Sequence, residues 1–303
     1  MKNRKIFLKD IVEYLSEDVL LVYGNMESKC IYNIPDAMNV DENSLDWINS
    51  NKANKQDIAE KSKAKALVVD EGVRYTDEIK KQGKTLLVVK QPHNTVAKIA
   101  THFFIDNPKC GIHPSAIINE EACIDSTAHI GAGCVIGKAT IGAGSVLMPN
   151  VVVYDDVFIG ANCLIQAGAV IGTDGLGCIR DNEGRLTKFP HLGGVVIGDD
   201  VEIGANCQIA KGAFSDTIIE NGCKINGLCF IAHNCHLDKN VWITGDTMLC
   251  GSVHVCKNST IFSNVIIREQ KTIGEGVTVG MGSVVTKNIP DGETWIGAPA
   301  HKM

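Results

Sequence analysis

Two pairs of residues in this 303-residue chain recur at a spacing of 18: His233 with Gly251, and His236 with His254. An imidazole beside a glycine N–H would supply a general base and an oxyanion donor. Two stacked imidazoles could begin a metal site, where the chemistry would be metal-dependent hydration. Zinc, however, needs three or four ligands. No third histidine or carboxylate stands at the usual ligand spacing, so the expectation for His236 and His254 is a solvated ladder and no metal. The twelve cysteines include no C-x-x-C pair, so the common zinc-ribbon spacing is absent as well. His113, His129 and His191 fall near turns or in a long polar stretch and carry no signal.

A spacing of 18 matters only if the chain returns on itself every 18 residues, and its apolar pattern says that it does. From Ile219 an aliphatic residue recurs at every sixth position through Ile225, Ile231, Leu237, Ile243, Leu249, Val255, Ile261, Ile267, Ile273 and Val279 to Val285. Earlier blocks run Ile112–Ile136, Ile141–Ile171 and Ile197–Ile209 in the same period. A six-residue repeat fits neither a 3.6-residue helix nor an isolated strand. It fits a three-sided coil of six residues per side, each turn stacked on the next at about 4.8 Å. Cys134, Cys163, Cys207, Cys223, Cys229 and Cys235 each precede a period-six aliphatic by two. That slot points inward and admits small residues, so these cysteines are expected to be buried packing groups.

The phase breaks three times. Ile136 to Ile141 is one residue short. The polar, Gly-rich stretch between Ile171 and Ile197 must leave the coil as a long loop, placed at 173–195. Ile209 to Ile219 carries four extra residues near Phe214-Ser215-Asp216. Excursions from a rigid solenoid are where function concentrates. On the 18-residue turn, His233 points outward and Gly251 lies one rung above it. By spacing alone, a surface histidine beside a turn glycine is the favoured account of that pair over a catalytic one.

Residues 1–106 lack the period and read as a small α/β domain. Helices are expected over Lys5–Leu15 and Asn94–Phe104, and strands at Leu20–Tyr23, Ala66–Val69 and Leu86–Val89. A linker follows at Asn107-Pro108, and the coil domain takes 107–303. The net charge of −6 argues against nucleic-acid binding. No run of about 18 apolar residues provides a membrane span. Charges at Lys9, Asp10 and Glu13 argue against a secretory signal, so a cytoplasmic protein with free thiols is expected.

The stretch VVIGDDVEIGANCQIAKGAFSDTIIENGCKINGLCFIAHNCHL, with VIGTDGLG, KFPHLGGVVIG and GIHPSAII, closely resembles the bacterial UDP-3-O-(3-hydroxyacyl)glucosamine N-acyltransferases of lipid A synthesis. The resemblance extends over nearly the whole chain. It implies a left-handed parallel β-helix behind an N-terminal α/β nucleotide-sugar-binding domain, in a homotrimer with active sites between subunits. It implies His233 as general base and the Gly251 backbone N–H as oxyanion donor. Substrate-binding roles fall on Trp47, Asn226, Asn234 and Gln270. The implied cosubstrate is acyl carrier protein or CoA carrying the acyl group, with no permanently bound cofactor.

The chain also departs from the family. Gln270 stands where the family has a second histidine. Asn226-Gly227 replaces Asp-Asn, Ala210-Lys211-Gly212-Ala213 replaces Asp-Arg-Gly-Ala, and Ala53 stands where a tyrosine would partner Trp47. The ending WIGAPAHKM resembles that of hexapeptide acetyltransferases and lacks the family's carrier-binding helices. An acetyl-CoA-dependent N-acetyltransferase on a dideoxy amino sugar nucleotide is therefore an alternative. A non-catalytic nucleotide-sugar-binding β-helix scaffold is another, from a different class.

Overall fold

The computed structural model describes residues 4–106 and 108–303, so Asn107 of the expected linker lies outside it. The chain divides there into two compact units.

The N-terminal unit is built on a four-stranded sheet in the order Val19–Tyr23, Thr85–Val89, Ala66–Val69, Leu45–Trp47. Its first pair is antiparallel and the other two are parallel. The two central strands are buried along their whole length, because apolar side chains leave both faces of a covered sheet. Ala66, Val68, Leu87 and Val89 join one apolar cluster, while Leu67, Val69, Leu86 and Val88 join another. The first helix begins at Leu8, not Lys5, because Ile6–Phe7 pairs with Cys30–Ile31 as a short strand. The last begins at Pro92, whose fixed φ suits a first helical turn. The strand Leu45–Trp47 and the helices Lys55–Lys61 and Asp77–Lys81 were not expected. They are too short to show a period.

The second unit is a parallel β-helix. Its three sheets contain 11, 9 and 8 strands among the described residues. Pairing advances by 18 residues per rung, as in Lys224, Trp242, Thr260 and Thr278 of the first sheet. The short step at Ile136 appears as a 17-residue rung, with Thr140 beside Cys123. The period-six aliphatics form one continuous core from Ile130 to Val285. Many corners are turned by a non-glycine residue in the left-handed region, including Asn234, Asn240, Asp246, Asn258 and Asn264. Asn and Asp tolerate that conformation best. Both long excursions leave the coil where expected. The first folds into an antiparallel hairpin, Gly177–Arg180 against Leu186–Phe189.

All six repeat-slot cysteines are buried. Burial pushes the thiol of Cys223 up to about 11 and that of Cys235 up to about 12. The same slot holds serine on other rungs. Ser259 Oγ donates to Gly274 O at 2.7 Å and accepts from Val277 N at 3.1 Å. Cys235 Sγ meets Cys250 O at 3.2 Å in the same manner. A hydroxyl placed there finds both its partners, so Cys235→Ser is expected to change unfolding free energy by less than about 1 kcal/mol. Denaturant melts check this, and a loss of several kcal/mol would mean that the slots are not equivalent.

Candidate active site

His233 sits half-buried at the corner between the second sheet, after Phe230–Ile231, and the third, before His236–Leu237. Its ring lies against Gly251 on the next rung. A Cβ at Gly251 would stand 2.6 Å from both His233 Cε1 and Nε2. Glycine here is a matter of space, because Gly251 is absent from the positive-φ residues. Among the described residues no acceptor takes the Gly251 N–H, whereas its carbonyl accepts from Gln270 N at 2.9 Å. Gln270, one rung further on, occupies a left-handed corner with a φ of 58°. Consecutive rungs thus bring His233, Gly251 and the Gln270 backbone together.

Asn234 determines which imidazole nitrogen is free. Its Nδ2 donates to Ser215 O at 2.9 Å and Ser215 Oγ at 3.0 Å, and its Oδ1 accepts from Ala213 N at 3.0 Å. These bonds orient the amide, so the 3.1 Å contact between its Oδ1 and His233 Nδ1 requires Nδ1 to be the donor. The lone pair is then on Nε2, the nitrogen beside Gly251. Asn234, expected as a substrate-binding residue, also clamps the 210–217 bulge to the coil through Ser215 and Ala213.

The hairpin loop and the bulge close over this corner. Gly193 N donates to Gly212 O and Ala213 O, and Gly194 N donates to Asp216 Oδ1. Phe189 of the hairpin meets Phe214 of the bulge edge-on, with ring centroids 5.1 Å apart. His191, which carried no sequence signal, is brought to the site. Its ring stands edge-to-face with His233 at 5.2 Å. His191 is 5% exposed, and its Nε2 lacks a partner among the described residues. It packs so closely on Gly175 that a Cβ there would meet Nε2 at 2.4 Å. Asp174 pairs with Lys188 and Lys211, and the Lys188 contact leads in holding its carboxyl below the usual range. A histidine-lined, partly covered corner of this kind can remove a proton from a substrate.

Not every expected residue joins this corner. Asn226 follows Lys224–Ile225 and precedes Phe230–Ile231, at the corner between the first and second sheets. There it borders a cavity of about 400 Å³ with Lys224, Gly227 and Trp242. Trp47 belongs to the N-terminal unit. It stacks on His93 at 5.1 Å and borders a cavity of about 710 Å³ with Pro35, Met38 and Lys52.

The structure corrects one expectation. His236 and His254 do stack, with ring centroids 4.9 Å apart, but carboxylates accompany them. Asp238 lies beside both and Glu220 beside His236. The signal was in the sequence: residues i and i+2 share a strand face, which puts Asp238 on the outer face with His236.

Residues 138–173 match the family model for the bacterial transferase hexapeptide (six repeats). The UDP-3-O-acylglucosamine N-acyltransferase of Pseudomonas syringae pv. tomato is 37% identical over 169 residues, 49% of this chain and 48% of that protein. Its counterpart from Coxiella burnetii is 34% identical over 233 residues, 70% of this chain and 66% of that protein. The chain thus spans about half to two thirds of the length of these relatives. Among solved structures, the UDP-N-acetylglucosamine acyltransferase of Francisella novicida superposes with a TM-score of 0.59 at 26% identity, over 64% of this chain and 70% of that one. LpxA from Acinetobacter baumannii superposes at 0.57 and 28% identity, over 63% and 73%. The coil is therefore the left-handed parallel β-helix that the resemblance implied.

Proposed function

We propose that this chain, which is similar to the UDP-3-O-acylglucosamine N-acyltransferases, moves an acyl group from a thioester to the amine of a nucleotide-linked amino sugar. The observation that carries this reading is the His233 imidazole packed on Gly251, with Nε2 as its free nitrogen and, among the described residues, no acceptor on the Gly251 N–H.

The reaction follows from those two groups. The sugar amine attacks the thioester carbonyl carbon while His233 Nε2 takes the proton that the nitrogen loses. Negative charge gathers on the carbonyl oxygen, where the Gly251 N–H stabilises it. The tetrahedral species then expels the thiolate, which takes the proton back from Nε2. The products are an amide and a free thiol. Asn234 holds Nδ1–H throughout and so keeps the ring in the competent tautomer.

Further parts of the reading rest on the relatives. Acyl carrier protein or CoA carries the donor, and the product serves a cell-surface glycolipid such as lipid A. The cavity beside Trp47 accepts the nucleotide. Asn226 lies at a different corner from His233, so it joins the same site only if a second copy supplies it. A homotrimer with sites between copies provides that arrangement. On this reading the reaction is cytoplasmic.

The test is transfer of radiolabel. Acyl carrier protein and CoA charged with long-chain and acetyl groups are offered with a panel of UDP- and dTDP-linked amino sugars. Amide formation with at least one donor–acceptor pair is expected. Silence across the panel would leave the chain a nucleotide-sugar-binding scaffold and overturn the reading.

A further inference from the structure

The third sheet carries a second cluster, on its outer face and apart from the bonds that orient His233. His236 and His254 occupy adjacent rungs in direct register. Asp238 is two residues past His236 and turns its carboxylate toward both rings. His254 Nε2 lies 2.8 Å from Asp238 Oδ1, and His236 Nε2 lies 3.5 Å from the same oxygen. Glu220, from the rung below, brings Oε1 to 3.3 Å from His236 Nε2. One donor atom each from His236, Asp238 and His254 falls within 4.8 Å of the others.

We propose that His236, His254 and Asp238 form a binding site for a late first-row divalent cation, with Zn²⁺ as the representative ion and Glu220 within reach as a further oxygen donor. The donor set is two imidazole nitrogens and a carboxylate, which suits zinc and its neighbours and does not suit Mg²⁺ or Ca²⁺. The spacing suits it too. Four donors arranged tetrahedrally at the usual zinc bond lengths stand about 3.4 Å from one another, and the contacts above span 2.8–3.5 Å. The two ring centroids, 4.9 Å apart and inclined by 17°, need only a tilt of each imidazole about its side-chain bonds to converge. The backbone stays in register.

Charge favours a cation at this place. Two carboxylates face two imidazoles, and among the described residues only His236 and His254 form ion pairs with Asp238 or Glu220. A bound ion would tie three ligands from two rungs of the coil together and leave a fourth position for Glu220 or water.

The experiment uses the full chain, treated with chelator and dialysed. Zn²⁺ is titrated calorimetrically, and Co²⁺ is added separately so that its visible bands report a four-coordinate nitrogen–oxygen site. One ion per chain is expected. His254→Gln and Asp238→Asn should each weaken binding by at least about tenfold, as loss of a ligand must exceed the loss seen for outer-shell partners. His233→Gln should bind like the unaltered chain. All three variants change partly exposed residues, so unchanged melting curves certify folding. Saturating Zn²⁺ with tight binding equal in the chain and in His254→Gln would overturn the proposal, as would no binding to the chain. Neither result depends on acyl transfer.

Discussion

His233→Ala should lower the rate of acyl transfer by about 10²–10⁴-fold, the usual contribution of a positioned general base, and leave the melting temperature within a few degrees. The half-buried imidazole contributes little to the core, which consists of the inward aliphatics Ile231 and Leu237 on either side of it. Its hydrogen bond to Asn234 is one of four that the amide makes, and Ala213 and Ser215 retain theirs. The bulge should therefore stay in place while proton removal is lost. The loss should appear in kcat more than in KM, because the base acts as the amine nitrogen becomes acidic in the transition state. Steady-state kinetics with the best donor–acceptor pair provides the measurement. Full activity in His233→Ala would assign the proton transfer elsewhere and remove the mechanism.

Gly251→Ala should be nearly as damaging, for a different reason. The backbone at Gly251 is one that alanine adopts without strain, and the N–H survives the change. The new methyl, however, would stand 2.6 Å from His233 Cε1 and Nε2, well inside van der Waals contact. The ring must swing away, and the pull of Asn234 on Nδ1 limits where it can go. A displacement of about 1 Å of a reacting group costs about 100-fold in rate. The expected result is therefore about a 100-fold loss of kcat with little change in melting. Gly204→Ala makes the contrast clear, since its Cβ would stand 2.2 Å from the backbone nitrogen of Gly227. There the clash falls on the solenoid stack itself, and stability should suffer. Wild-type kcat in Gly251→Ala would show that the ring's place over the glycine is not catalytic.

Much of this protein was legible from one-dimensional pattern. A period of six with inward aliphatics can be read from the chain because every rung of a solenoid repeats the same local environment. The 18-residue turn follows, and with it the stacking of Gly251 over His233, the burial of six cysteines, and the pairing of His236 with His254. The breaks after Ile171 and Ile209 were visible for the same reason: a regular register exposes any residue that does not fit it. The short elements around Trp47 offered no such repetition, and the strand Leu45–Trp47 passed unseen.

What only the tertiary structure decided lies where the chain leaves the repeat. The imidazole of His191 reaches His233 because a hairpin folds back across the coil and packs on Gly175, contacts that no spacing encodes. The role of Asn234 depends on Ser215 and Ala213, whose places in a four-residue bulge are not periodic. Asn226 and His233 are seven residues apart in the chain yet stand at different corners, because each corner turns the backbone away from the last. Asp238 lies between these extremes. Alternation along a strand put it on the outer face with His236, but only the folded rungs showed its carboxylate reaching both imidazoles. Sequence determines this architecture through repetition of neighbour contacts. The site comes from insertions and side-chain directions, which only the three-dimensional arrangement specifies.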